Sequence, residues 1–158
     1  MTIKKRLGAA TVALFAMATS AVADDKATVR TFYDLLSNPS DPALMEAFKA
    51  GTAADWASIG DYSGKSKTRT AFLGQIGGFG QLIPDLDWAI QAMHQDGDTI
   101  IVRSRATGTP QAPLFGVDGE GRSFDILTID IHELEDGRIV RTYHVEDWAG
   151  ALRQLSGQ

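Results

Sequence analysis

An α+β domain is what this sequence predicts, and three features of its patterning predict it. Before Pro84 the chain reads as helices over 24–37, 43–49 and 67–79, with apolar residues at helical spacing clearest in the first. After Pro84 apolar residues alternate with polar ones, as in half-buried strands. Asp96-Gly97-Asp98 and Asp136-Gly137 then supply the tight turns that join consecutive antiparallel strands. Helices first and strands afterwards is the α+β order, unlike the βαβ alternation of a parallel sheet. One curved antiparallel sheet wrapped on the N-terminal helices would leave a blind pocket between the two layers.

Residues 1–23 read as a cleaved signal peptide. Lys4, Lys5 and Arg6 form a basic start, Leu7 to Ser20 is apolar or small, and Ala21-Val22-Ala23 offers a signal peptidase its small residues before Asp24. The run is short for a bilayer span of about 20 residues. Export to a periplasm or secretion is expected, with the cut after Ala23. Residues 24–158 remain, enough for one domain with its own core. Without Lys4, Lys5 and Arg6 the fifteen basic residues fall to twelve against twenty acidic ones, a net charge of −8. That balance argues against nucleic acid or an anionic membrane as partner. The absence of cysteine excludes disulfides, thiol chemistry and a lipidated N-terminus.

In chain order, Ala27, Val29, Phe32, Tyr33, Leu35 and Leu36 set the face of a helix over 24–37. Asn38 to Pro42 breaks it, with Asp41 as N-cap and Pro42 as first residue of a short helix ending near Gly51. Residues 55–59 are an isolated segment around Trp56, and 60–66 a loop. Lys67 to Phe79 predicts a third helix, weakened by Gly74, Gly77, Gly78 and Gly80. Strands follow around Leu86, Trp88 and Ile90 and over 99–107, the latter with Arg103 and Arg105 on one face. A long loop over 108–121, a hairpin over 122–148 and a helix over 149–155 complete the chain.

The hairpin is where the chemistry collects. Leu127, Ile129 and Ile131 alternate with Thr128, Asp130 and His132; on the returning strand Thr142, His144 and Glu146 face away from Ile139, Tyr143 and Val145. Register decides how close Asp130 and His144 come. A strict two-residue turn sets Asp130 opposite Tyr143, whereas one extra residue sets it opposite His144. An inward polar face would be an acid/base site. An outward one would be an ordinary amphipathic sheet.

The ordered set Pro84-Asp85-Leu86, Gly97-Asp98 with Arg103, Gly108-Thr109, Leu114-Phe115-Gly116, Gly121-Arg122, Asp136-Gly137-Arg138-Ile139 and Asp147 with Leu152 to Leu155 resembles the SnoaL-like polyketide cyclases (predicted ester cyclases). These belong to the nuclear-transport-factor and ketosteroid-isomerase superfamily. The resemblance implies a cone-shaped, NTF2-like (cystatin-like) α+β barrel and a reaction free of cofactor and metal. It also implies an aspartate near the end of the last strand as acid/base, and a histidine on the preceding strand. Counted from the Asp-Gly turn, those positions hold His144 and Asp130, so the two residue types are exchanged. Pro110 replaces a histidine often found after Gly-Thr.

His144 and Asp130 are therefore the candidate catalytic pair, with His144 taking a proton and Asp130 holding its tautomer; the other reading is a structural hydrogen bond. His132 either lines the pocket or, being closer to the turn, lies near the surface. Arg103 either binds a substrate carbonyl or pairs with Asp87. Trp56 and Trp88 are core or pocket wall in preference to chemistry, the other reading being that Arg103 or the Trp56 N–H steadies a developing enolate oxygen. Asp147 caps the last helix in preference to touching substrate. The three histidines lack ligand spacing, so no metal site is expected. Two functions follow: a cofactor-independent cyclase, isomerase or lyase on an apolar carbonyl compound, or a binding module for a hydrophobic small molecule. A convex aliphatic sheet face would suit a homodimer.

Overall fold

The computed structural model describes residues 21–158; the expected leader falls on residues outside this range, apart from its last three. Helices α1 (Ala21–Ser37) and α2 (Pro42–Gly51) come first. Strands β1 (Thr52–Ile59) and β2 (Lys67–Thr68) follow, then α3 (Arg69–Leu82). Next are β3 (Asp87–Asp96), β4 (Thr99–Gly108), β5 (Phe124–Glu135), β6 (Arg138–Glu146) and α4 (Trp148–Leu155). The fold is α+β, as expected. The six strands form one curled, unclosed sheet in the order β2-β1-β6-β5-β4-β3.

Local chemistry sets the helix ends. Asp41 caps α2 by accepting from the backbone N–H groups of Ala43 and Leu44, with Pro42 at the first position. Thr68 caps α3 the same way. That helix continues to Leu82 through its glycines, and Gly80 has a reason to be there. A Cβ at Gly80 would come within 2.4 Å of the Pro39 ring.

The sheet departs from expectation in β2, which takes the first two residues expected of the third helix, and more deeply in β1. Residues 52–59 are not an isolated segment: β1 runs parallel to β6, against the all-antiparallel order read from the sequence. Its small residues give no alternation of large apolar side chains, so the strand was not visible by period. A β-strand buried through Thr52, Trp56 and Ser58 alone carries too little pattern.

The hairpin register resolves into a combination. The turn has two residues, Asp136 (φ 50) and Gly137 (φ 73), with Glu135 opposite Arg138. The extra residue sits in the strand: Val140 bulges between the Leu134–Ile139 and Glu133–Arg141 pairs. Asp130 therefore faces His144 directly across the ladder. The same bulge turns Ile139 inward, where it is buried beside Leu134, so its expected place with Tyr143 and Val145 is corrected.

The core lies between α1 and the inner sheet face, with Val29, Phe32, Tyr33 and Leu35 against Ile100, Val102, Ile126 and Leu134. Several motif residues serve this architecture. Asp85 accepts from both the N–H and the hydroxyl of Thr109, and Arg122 holds the carbonyls of Gly119 and Leu155. Gly108 lets Ile83 approach, since a Cβ there would lie 2.4 Å from its methyl group. Among the described residues no helix is long and apolar enough to cross a membrane.

Candidate active site

Between the inner sheet face and the helices lies a cavity of about 240 Å³. Phe32 and Leu36 of α1 and Phe72, Ile76 and Phe79 of α3 wall one side; Trp88 of β3 and Trp148 of α4 close another. The loop after β4 brings Phe115 (φ 47) against Trp148 and Phe79. Into this aromatic enclosure the sheet puts Asp130, Thr142, His144, Glu146 and Ser58. Lys67 and Gln75 line it where it meets solvent.

Asp130 is only 4% exposed. Burial disfavours its charged form and pushes its carboxyl up to about 7; the Tyr33 hydroxyl opposes the shift, the Glu146 carboxylate adds to it and His144 opposes it. Tyr33 donates to Oδ2 at 2.8 Å. Oδ1 takes no hydrogen bond among the described residues and is not sealed in, which leaves it as the oxygen a ligand would meet.

His144 also lines the cavity, but its partner is not the expected one. Its Nδ1 lies 2.8 Å from Oε1 of Glu146, two residues along the same strand face. A carboxylate only accepts, so Glu146 keeps the proton on Nδ1. No hydrogen bond joins His144 to Asp130. Nε2 is buried without a partner among the described residues and packs on Gly60, where a Cβ would sit 3.1 Å away. Asp130 therefore does not hold the imidazole's tautomer; Glu146 does.

His132 is fully buried, not near-surface, and does not line the cavity. Burial pushes it down to about 3, so it is neutral. Its Nε2 is 3.0 Å from the Tyr33 hydroxyl and its Nδ1 3.0 Å from Oγ1 of Thr142. The same Thr142 oxygen accepts from Trp56 Nε1 at 3.1 Å. Trp56 is therefore core, its N–H already used, and it is not available to an enolate.

The remaining expectations divide. Trp88 walls the cavity, with its N–H given to Thr128. Arg103 is exposed on the outer face opposite Ile129, where it meets neither cavity nor Asp87. Inner positions of β4 are the even-numbered ones, so its strand parity excludes it. Asp147 caps α4 by accepting from Gly150 N–H and does not line the cavity. Tyr33, Ser58 and Glu146 were missed. Glu146 shares a strand face with His144 and could have been found; Tyr33 looked like one more apolar helix position, and Ser58 sat in the unrecognised strand. No group of three His, Asp or Glu side chains poised for a metal occurs among the described residues.

A curled sheet closed by helices over an aromatic cavity that holds a near-neutral carboxyl group defines a class: α+β cones with an acid-bearing pocket. Within it, this chain belongs to the SnoaL-like polyketide cyclase family, whose model matches residues 27–155. IdmH from Streptomyces antibioticus, a candidate polyketide cyclase, is similar at 25% identity and a TM-score of 0.71, over 83% of this chain and 97% of that one. A candidate SnoaL-like polyketide cyclase from Jannaschia Sp. CCS1 superposes at TM-score 0.74 with 18% identity, over 86% of this chain and 94% of that one. A protein of Catenulispora acidiphila with a ketosteroid isomerase-like fold superposes at 0.63 with 18% identity, over 82% and 92%. No curated protein matches the chain.

Proposed function

We propose that the protein is a cofactor-independent acid/base enzyme, a cyclase or isomerase acting on a compact, apolar carbonyl compound. One observation carries this reading: Asp130, with a carboxyl pushed up to about 7, presents a free oxygen to an aromatic cavity. Asp130 exchanges the proton in preference to His144, because Oδ1 is open to the cavity whereas Nε2 lies against Gly60. Its carboxylate takes the proton α to a carbonyl and becomes the neutral acid. The enolate then reprotonates at another atom or attacks a second carbonyl of the same molecule, and Asp130 returns the proton to the product oxygen or carbon. Ser58 is buried on the cavity wall with no hydrogen bond from its hydroxyl among the described residues, so that hydroxyl donates to the enolate oxygen. The cavity's 240 Å³ lies below the roughly 300–1,000 Å³ of pockets for drug-sized ligands, which favours a compact substrate.

The test needs no knowledge of the substrate. Compact ketones such as 2-tetralone are incubated with the protein in D₂O, and exchange of their α-protons is followed by NMR. Wild type accelerates exchange; Asp130→Asn lowers that acceleration by about a hundredfold or more, and Ser58→Ala by about a hundredfold. Binding of the ketones with no exchange in wild type overturns the enzyme reading in favour of a binding module. Two further proposals accompany it. Residues 1–23 direct export, supported by their basic, apolar and small-residue order; N-terminal sequencing of protein from its host begins at Asp24, and a chain still carrying Lys4 to Arg6 refutes this. The outer sheet face is covered by a second copy of the chain.

A further inference from the structure

Five buried groups form a line of hydrogen bonds that runs from the core to the cavity: Trp56 Nε1, Thr142 Oγ1, the two ring nitrogens of His132, the Tyr33 hydroxyl and Oδ2 of Asp130. Each link is between 2.8 and 3.1 Å. An indole N–H can only donate. Thr142 accepts from it and has one hydrogen of its own, for which the acceptor in reach is Nδ1 of His132. Neutral His132 then carries its proton on Nε2 and gives it to the Tyr33 oxygen. The Tyr33 hydrogen is left for Oδ2, and every donor and acceptor along the line is used once.

The opposite direction is poorer. With a proton on Oδ2, Asp130 would donate to Tyr33, Tyr33 to Nε2, and Nδ1–H to Thr142. Thr142 would then receive two donors, and its own hydrogen would find no acceptor among the described residues. A buried donor left unpaired is disfavoured by about ten- to a hundredfold.

We infer that the donor-only indole of Trp56 gives this chain a single direction, so that the proton of Asp130 is held on the cavity-facing Oδ1 and never handed into the core. Trp56, Thr142, His132 and Tyr33 are positioning residues. Their effect on chemistry rests on the proposed role of Asp130, but the direction of the chain does not. The groups that face Asp130 are Tyr33 from α1, His132 on its own strand, and His144 and Glu146 from β6.

Long-range ¹H–¹⁵N NMR of histidine-labelled full-length protein reads the tautomer directly, at a pH well below and well above about 7, where Asp130 titrates. His132 is expected as the Nε2–H tautomer at both. In Asp130→Asn the far end of the line can either accept through the amide oxygen or donate through the amide nitrogen, and His132 stays Nε2–H in it, because the direction is set at the Trp56 end. Nδ1–H in wild type at either pH overturns the inference, as does Nδ1–H in Asp130→Asn. A correct tautomer together with absent proton exchange would sink the enzyme reading and leave the chain standing.

Discussion

The two faces of β5 invert the usual order of a half-buried strand. On the inner face Thr128, Asp130 and His132 are exposed by only 1%, 4% and 0%; on the outer, Leu127, Ile129 and Ile131 are exposed by 52%, 38% and 37%. The inner polar groups sit between Ile126 and Leu134, so an apolar core flanks a polar centre. Each is tolerated because it has a partner: Thr128 with Ser104 and Trp88, Asp130 with Tyr33, His132 with Tyr33 and Thr142. The outer aliphatic row has no such cover. Inside, apolar packing gives way to partnered polar groups around a cavity; outside, apolar surface is in excess and continues onto Ile101 and Val145.

The largest effects come from breaking the inner face. Asp130 has a folded value raised from 3.8 to about 7, so the native state holds a proton that the unfolded chain releases, and stability falls as pH rises across that interval. His132 has a folded value lowered from 6.5 to about 3, so the unfolded chain takes up a proton that the native state refuses, and stability falls as pH drops across that interval. Between about 4 and 6.5 the two slopes oppose each other, each about 1.4 kcal/mol per pH unit at full strength. Relative to wild type, Asp130→Asn therefore gains stability as pH rises, most clearly by pH 8, where the buried charge is gone. His132→Gln gains as pH falls. Urea denaturation across a pH series measures both, and parallel curves for the two variants would remove the inner-face account.

The outer face tests at smaller energy. If a second copy covers it, Ile129→Glu places a charge in that interface and splits the dimer, while the fold of each chain survives. Sedimentation equilibrium reads this, and a monomeric wild type refutes the proposal. Lys49→Ala is the internal control: its ion pair with Glu46 is exposed on α2, away from that sheet face, so neither melting temperature nor assembly changes measurably.

Much of this contrast was legible in the residues. Strand alternation separated Asp130 and His132 from Ile129 and Ile131 before any fold was known, and Asp136-Gly137 located the turn. Asp41-Pro42 fixed a helix start, because capping is settled within a few residues. The partners of the site were less visible. Glu146, Tyr33 and Ser58 reach it from three elements, and each alone looks like an ordinary strand or helix residue.

By itself the sequence determined what depends on neighbours along the chain: the periods of helix and strand, the turn, the caps, and the collection of acid and base on one ribbon face. Tertiary structure alone decided the rest. The Val140 bulge set the register, the parallel pairing of β1 brought in Ser58 and Trp56, and strand parity sent Arg103 outward. Burial then converted an ordinary aspartate into one that titrates near 7. A side chain's protonation answers to the charges and walls around it in space, and those are contributed by residues as far as 97 positions away.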